Sequence, residues 1–277
     1  MTSDSLATGV GASVRRREDR RLLEGRGEYS DDLNLACQLH AVMVRATHAH
    51  ADIQVVETSA ALAMPGIVAV LTGTDYLADG IGDLCHVANP AGTEDWQTSA
   101  FVNRDGSAPF DRAQPPIVRQ RVRHAGEIIA VVVGETEPVA QAAADLVKID
   151  YSVLPVVIDV LTALDPNAPT VWDGCPDNVP LDAEMGDAAA TDAAFGRAAH
   201  VVEAKFFNNR VINCQMEPRA AIGEWDPIDG KLTLHAGGQG VHRHKMILGQ
   251  MFGITPEHVR VTSKDVGGGF GPRNMMY

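Results

Sequence analysis

Two glycine-bearing stretches hold the residues best suited to chemistry: Gly237-Gly238-Gln239-Gly240, just before a helix-like pattern, and Gly267-Gly268-Gly269-Phe270-Gly271, just after a strand-like one. Glycine permits φ > 0 and has no Cβ, so consecutive amides can turn toward one anionic or oxygen-rich ligand, and a helix N-terminus adds positive potential. Gln239 adds a side-chain amide that can donate to an oxygen. Taken alone, both stretches also serve as tight turns between strand and helix, and that simpler use stays open. Neither is a P-loop, because no Gly-Lys-Ser/Thr follows. Neither shows the full dinucleotide fingerprint, in which the glycine turn, the helix and a downstream acid occur together.

Other groups invite a chemical reading. His48-Ala49-His50 and His242-Arg243-His244 are i, i+2 pairs. On a strand both rings can face one way, but on a helix they point about 200° apart, so ordinary hydrogen-bonded histidines are the simpler use. Glu217, beside Pro218 and Arg219, has the type of a general base. Asp31 and Asp32 form a carboxylate pair, which ahead of a strand caps a turn. Cys37, Cys85, Cys175 and Cys214 lie far apart with no CxxC and no finger spacing, so they read as buried small hydrophobes rather than zinc or iron–sulfur ligands.

Periodicity supplies the elements that must place these residues. Residues 1–20 show no sustained period and read as an ordered arm or a mobile tail. HAVMVRAT and DIQVVE read as strands, TSAALAM as a short helix opened by Thr58 or Ser59, and IVAVLTG as a strand after Pro65-Gly66. Asp75 to Pro116 is polar and broken by Pro and Gly, the composition of an insertion loop. RVRHAGE and IIAVVVGE then read as strands, EPVAQAAADLV as a helix, and KIDYSVLPVVID as a strand returning to the same sheet. Two strand–helix–strand units imply an α/β sheet domain ending near Asp159. Residues 161–200 have the composition of a connection between domains. Beyond it come the strands HVVEAKFFN and AAIGEWDP, a turn at Ile228-Asp229-Gly230 into KLTLHA, the helix VHRHKMILGQMFG and the strand VRVTSKDV. The alternation favours an α/β or α+β architecture over a bundle or a sandwich.

A chain of 277 residues can bury one large or two medium cores. With 45% hydrophobic and 21% charged residues it falls in the globular class, and no run approaches the roughly 20 apolar residues of a membrane span. The opening MTSDSLATGVGASVRRRED, with Arg15, Arg16 and Arg17, lacks an apolar segment followed by a cleavage site, so a cytoplasmic location is expected. A net charge of −13, from 23 Lys plus Arg against 36 Asp plus Glu, repels a phosphate backbone and argues against nucleic acid as a partner.

In order along the chain, REDRRLLEGRGEYSDDLNLACQLHAVMVRATHAHADI, PGIVAVLTGTD, VRHAGEIIAVVVGETEPVAQAAADLVKIDYSVLPVV, MEPRAAIGEWD, QGVHRHK and DVGGGFG resemble the molybdopterin-binding large subunits of the xanthine dehydrogenase, aldehyde oxidase and carbon monoxide dehydrogenase group. The resemblance implies an arm at 1–20, an α/β hammerhead domain at 21–160, and at 161–277 the incomplete first part of a molybdenum-cofactor domain. The family glutamine that hydrogen-bonds a terminal oxygen of the molybdenum matches Gln239, with Gly240 beside it. The resemblance also implies that the stretch MEPR is structural support near the pocket, with Glu217 and Arg219 bonded to backbone or to each other rather than acting as a base. The loop whose backbone lies against the cofactor matches Gly267, Gly268, Gly269, Phe270 and Gly271, with Phe270 and Gly271 nearest the metal; a core anchor is the other use for Phe270.

The resemblance further implies an oxidoreductase that hydroxylates an aldehyde or N-heterocycle, or oxidises carbon monoxide, with water as the oxygen source. The cofactor is molybdopterin, for which the cytosine dinucleotide is one form. The expected partners are the rest of the large subunit, an iron–sulfur small subunit, an FAD-binding medium subunit and a small-molecule substrate. The glutamate base falls beyond Tyr277 in the family pattern, so no catalytic residue is expected in this chain and the chain alone is expected to be inactive. Two departures bear on the substrate. Purine-oxidising members carry a glutamate where Asn274 stands, and the family's glycine and lysine after the loop are Pro272 and Arg273. A non-catalytic scaffold or truncated relic that only binds partner subunits is the rival reading, and cofactor content separates the two.

Overall fold

A computed structural model describes residues 9–14, 16–84, 102–112, 114–209, 211–274 and 276. Arg15, Cys85, residues 1–8 of the expected arm and residues 85–101 of the expected insertion loop lie outside the described residues. The fold divides into two units. One gathers the chain up to Leu35 with Asn213–Leu248 and Thr255–Met276; the other comprises Ala36–Ile212 with Gly249–Ile254.

The first unit opens with helix α1 (Asp19–Leu23). The second carries β1 (His40–Arg45), β2 (Ala51–Glu57), α2 (Ser59–Leu62), β3 (Ile67–Thr72), α3 (Gly73–Ala78), β4 (Arg121–Val122), β5 (Ile128–Gly134), α4 (Glu137–Ala144), β6 (Lys148–Val153) and α5 (Ala188–Arg197). β5 lies between β1 and β3 and is antiparallel to both, while β2 lies between β4 and β6, again antiparallel to both. The expectation of one sheet is therefore corrected. The strands flanking each helix, β2 and β3 around α2 and β5 and β6 around α4, go to different three-stranded sheets. β5, with the unbroken apolar run IIAVVV, is buried on both faces. Ala130 and Val132 pack with Val70 and with Ala61, Ala143 and Ala144 of the helices. Ile129 points the other way, to Ala46 and Val122 and to the side chains of Ile53, Val56, Ile149 and Tyr151 on the second sheet. Small residues let α4 come close: a side chain at Gly134 would press on Ala140 at 3.2 Å.

Several expected elements differ. The loop expected from Asp75 begins inside α3, which Thr72 and Asp75 close with a capping box. The strand expected at RVRHAGE pairs only through Arg121–Val122, and the strand at KIDYSVLPVVID ends at Val153, because the residue before Pro155 is followed by a ring with no N–H to donate. Within the expected connection, Ala188–Arg197 is a helix capped by Asp187, whose carboxylate accepts the Ala190 N–H at 2.8 Å. Alanine has the highest helix propensity, and here it acts without an amphipathic stripe, since α5 buries no residue. HVVEAKFFN forms no strand: Val202, Phe206 and Phe207 are exposed and no described strand pairs with this stretch. Alternation fits a strand to a sheet only where a neighbour offers backbone donors and acceptors.

The first unit continues with β7 (Ala221–Asp226), β8 (Lys231–Ala236), α6 (Val241–Phe252), of which the residues to Leu248 belong to it, and β9 (Val259–Thr262). β7 and β8 form the expected hairpin, whose turn is held by Asp226 accepting the N–H groups of Ile228 and Asp229, with Gly230 at φ 62°. β9 pairs parallel to β8. The N-terminal segment is fastened to the end of the chain: Arg21 donates to both carboxylate oxygens of Asp265, at 2.5 and 2.7 Å, and Asp265 also accepts the Glu28 N–H at 2.8 Å. The Arg21 bonds, with the Glu28 amide, hold the Asp265 carboxyl far below the usual carboxylate range.

Ile129 is fully buried where β5 meets the second sheet. Ile129→Ala should therefore cost about 3 kcal/mol, read as a lower urea midpoint with an unchanged slope.

Candidate functional site

The site is assembled around Glu217. Its side chain is 5% exposed, and its carboxylate accepts the Ser30 N–H at 3.1 Å, the Gly267 N–H at 2.7 Å and a bond from the Arg273 guanidinium. Arg273, 3% exposed, also reaches the Glu217 carbonyl at 2.5 Å and the Pro218 carbonyl at 3.3 Å, while its Nε has no partner among the described residues. Burial alone would raise the Glu217 carboxyl; the Gly267 and Ser30 amides and the Arg273 charge outweigh it and hold the group below its ordinary 4.5. An ionised, fully engaged carboxylate lacks the proton affinity a general base needs. Backbone support for Glu217 is as expected, but its ionic partner is Arg273, while Arg219 donates to the Pro272 carbonyl at 2.8 Å. Sequence reasoning misses this pair. Its one signal was a basic residue standing at 273 where the family also has a cation.

The glycine run wraps this pair. The Gly267 carbonyl accepts the Glu217 N–H at 3.3 Å, and a Cβ at 267 would run into the Glu217 side chain, so close approach, not φ, requires glycine there. Gly268, Phe270 and Gly271 have φ of 110°, 51° and 93°. The carbonyls of Gly269 and Phe270 accept from Gln215 at 2.9 Å and Asn213 at 2.8 Å. In a trans peptide the N–H points opposite to the C=O. The N–H groups of Gly268, Phe270 and Gly271 therefore face away from the 213–217 segment. Those of Gly268, Gly269 and Phe270 donate to no described residue, and that of Gly271 donates to Gln239 Oε1 at 2.8 Å.

This last bond fixes the orientation of Gln239. Only the oxygen of a carboxamide can accept an N–H, so Oε1 faces the loop and the Nε2 hydrogens are left to donate elsewhere. The side chain is exposed, its backbone N–H donates to the Arg273 carbonyl at 3.1 Å, and a Cβ on Gly269 would meet Gln239 Oε1 at 2.8 Å. Gly240 leads into α6, its carbonyl accepting the His244 N–H at 3.2 Å. The structure thus sets Gln239 against Gly269 and Gly271. Phe270 is 67% exposed, which removes the core-anchor alternative.

The other candidates have local explanations. The His48 ring packs tilted against Tyr151 with centroids 4.6 Å apart, and His50 Nδ1 bonds the Pro155 carbonyl at 2.7 Å. His242 is exposed and His244 buried. Asp32 accepts the Tyr29 N–H at 2.9 Å, closing the expected turn. Among the described residues no cluster of three or more His, Cys, Asp or Glu could hold a metal ion. Of the described cysteines Cys175 alone is buried. The reading of all four thiols as core groups is corrected, since Cys37 occupies a left-handed position at the surface (φ 59°) and Cys214 lies in an exposed stretch.

Amide donors without acceptors among the described residues, a carboxamide presenting its N–H groups and a loop that glycine keeps bare together fit a ligand rich in oxygen and negative charge. The oxygens of a molybdenum–pterin cofactor have that chemistry. Residues 24–96 and 91–155 match the aldehyde oxidase and xanthine dehydrogenase a/b hammerhead domain, and residues 171–277 match the molybdopterin cofactor-binding domain. The chain belongs to the family of molybdopterin-binding large subunits of the xanthine dehydrogenase, aldehyde oxidase and carbon monoxide dehydrogenase group.

Particular relatives can then be named. The nicotine 6-hydroxylase large subunit of Paenarthrobacter nicotinovorans is 36% identical over 95% of this chain and 30% of the relative. The carbon monoxide dehydrogenase large chain of Hydrogenophaga pseudoflava is 32% identical over 94% of this chain and 31% of the relative. The solved structure of quinoline 2-oxidoreductase from Pseudomonas putida 86 superposes with a TM-score of 0.80 at 31% identity, over 94% of this chain and 31% of that one. The chain thus spans about 30% of the length of the curated relatives it matches. No helix among the described residues is long and apolar enough to cross a membrane.

The depressed Glu217 carboxyl makes stability pH-dependent. The unfolded carboxyl takes up its proton near 4.5 while the folded one stays ionised to lower pH, so the unfolded state binds more protons and stability falls as acid is added. Glu217→Gln should lower the urea midpoint at pH 7, because it leaves the Arg273 charge buried and unpaired, at a cost of about 3 kcal/mol. It should also flatten the fall between pH 6 and pH 3 relative to wild type. An equally steep acid limb in the variant would remove Glu217 as its source.

Proposed function

We propose that Gln239, Gly240 and the Gly267–Gly271 loop hold the molybdenum cofactor of a hydroxylase, with Gln239 and Phe270 beside the metal. The observation that carries this reading is the Gly271 bond to Gln239 Oε1, which turns the carboxamide so that its N–H groups are free to donate to a cofactor oxygen. Bound there, the molybdenum centre would supply the two-electron chemistry that oxidises the substrate with oxygen from water. The chain's own part is positional and electrostatic. The Gln239 amide and the Gly268, Gly269 and Phe270 N–H groups are preorganised donors toward charge on the cofactor's oxygens. Glu217 and Arg273 keep the loop's shape without touching substrate.

The substrate class is an aldehyde, an N-heterocycle or carbon monoxide, in keeping with the nicotine, quinoline and carbon monoxide named for the relatives and with Asn274 standing where purine oxidisers carry glutamate. The general base, iron–sulfur clusters and FAD come from outside these residues: the rest of the large subunit, an iron–sulfur subunit and a flavin subunit. The cytosine dinucleotide is the proposed cofactor form, and the cytoplasm the proposed location. The linear division proposed is an arm at 1–20, the hammerhead at 21–160 and the cofactor domain from 161, in keeping with the matched ranges.

In the complete enzyme, Gln239→Ala should leave the molybdenum content near wild type and lower kcat on the order of 100-fold, because it removes one donor and little packing. Wild-type turnover would remove Gln239 from the site. Absence of molybdenum from the purified wild-type complex would favour the scaffold reading instead.

A further inference from the structure

Three peptides of the glycine loop turn their carbonyls to the 213–217 segment. The Gly267 carbonyl accepts the Glu217 N–H at 3.3 Å, the Gly269 carbonyl accepts from Gln215 Nε2 at 2.9 Å, and the Phe270 carbonyl accepts from Asn213 Nδ2 at 2.8 Å. The 270–271 peptide is held at its other end too, because the Gly271 N–H donates to Gln239 Oε1. The 269–270 peptide is not. Its N–H belongs to Phe270 and donates to no described residue, so among the described residues the Gln215 bond is the one hydrogen bond on this plane. The Gln215 side chain is half-buried against the loop: a Cβ on Gly268 would meet its Cγ at 3.5 Å.

This plane has a reason to turn over. Phe270 sits at φ 51°, which few residues other than glycine adopt. Rotating the 269–270 peptide by about 180° changes only ψ at 269 and φ at 270, and it returns Phe270 to negative φ. Glycine at 269 tolerates the new ψ. The penalty falls on polarity. In a trans peptide the C=O and N–H point in opposite directions, so the turned plane would aim the Gly269 carbonyl, not the Phe270 N–H, away from the 213–217 segment. An oxygen would then stand where an anionic, oxygen-rich ligand needs a donor.

We infer that Gln215 is a positioning residue: by donating to the Gly269 carbonyl it keeps the 269–270 peptide in the sense that leaves the Phe270 N–H for a cofactor oxygen. This rests on the placement of the loop at the cofactor proposed above. A donor at 215 favours the present sense of the plane and an acceptor the reverse. Methionine nearly matches the shape of glutamine without its donor. Glutamate matches it closely, but its carboxylate can only accept, whereas the protonated carboxyl can donate again.

The test uses the complete, cofactor-loaded enzyme carrying Gln215→Met, Gln215→Glu or Gln239→Ala, with kcat, KM, molybdenum content and the Mo(V) electron paramagnetic resonance signal measured for each. Gln215→Met should load molybdenum, lose kcat about tenfold at unchanged KM and shift the Mo(V) signal, because one preorganised donor has turned away. Gln215→Glu should lose more near neutral pH, and its kcat relative to wild type at the same pH should rise as acid protonates the new carboxyl. Wild-type kcat and signal in Gln215→Met, alongside altered values in Gln239→Ala, would overturn the role of Gln215 and leave that of Gln239 standing. A Gln215→Glu deficit that acid does not lessen would overturn it as well, since donation would then not be what the residue supplies. Loss of molybdenum from both 215 variants would make Gln215 a requirement of loading rather than of the plane's sense, and would also overturn the inference. An unaltered signal in Gln239→Ala would overturn the site reading itself, and the inference with it.

Discussion

The glycine loop closes on a single carboxylate oxygen. Glu217 Oε2 accepts the Gly267 N–H at one end of the loop and the Arg273 guanidinium at the other, so the backbone between them is pinned at both ends to one atom. A buried ion pair is a poor source of net stability, because desolvating both ions offsets most of their attraction. Its consequence is geometric. With Oε1 bonded to the Ser30 N–H, the same side chain ties segments 187 and 50 residues away in sequence to one point. Any rearrangement that opened the loop would leave a charge stranded out of water, which penalises alternatives more than it stabilises the native state.

What the sequence disclosed and what it hid follow from this difference between local and distant terms. β5 was legible because IIAVVV has one use in a chain of this size, burial on two faces, and the β7–β8 turn was legible because Asp226 and Gly230 carry their turn chemistry with them. The partition into two sheets was not, since which strand pairs with which depends on contacts between segments that periodicity does not encode. HVVEAKFFN has the alternation of a strand, but no described strand offers it a neighbour. α5 was hidden for the opposite reason: alanine gives a helix without giving it a face.

The site divides in the same way. Gln239 and the glycines could be picked out as bare backbone beside a carboxamide, and the resemblance supplied their roles. That Gly267 and Gly269 are glycine for lack of room rather than for φ could not be read, because the crowding atoms belong to Glu217 and Gln239. Nor could the pairing of Glu217 with Arg273 in preference to Arg219, two residues away. A near neighbour in sequence is the natural first choice, yet its guanidinium must be able to turn back onto the carboxylate; Arg219 instead reaches the Pro272 carbonyl.

Phe270 shows the same constraint acting on the backbone. A bulky residue at φ 51° pays for a conformation few non-glycine residues adopt, and such strain persists only where the surroundings over-determine it. Here they do, for the carbonyls on either side of the Phe270 Cα are held by Gln215 and Asn213, and the next N–H is held by Gln239. Flipping either peptide to relieve the strain would break one of these bonds. The side chain is left exposed. Strain and unpaired donors are therefore one arrangement, and its common cause is a loop anchored through its carbonyls, so that the Gly268 and Phe270 N–H groups face away from the 213–217 segment with no acceptor among the described residues.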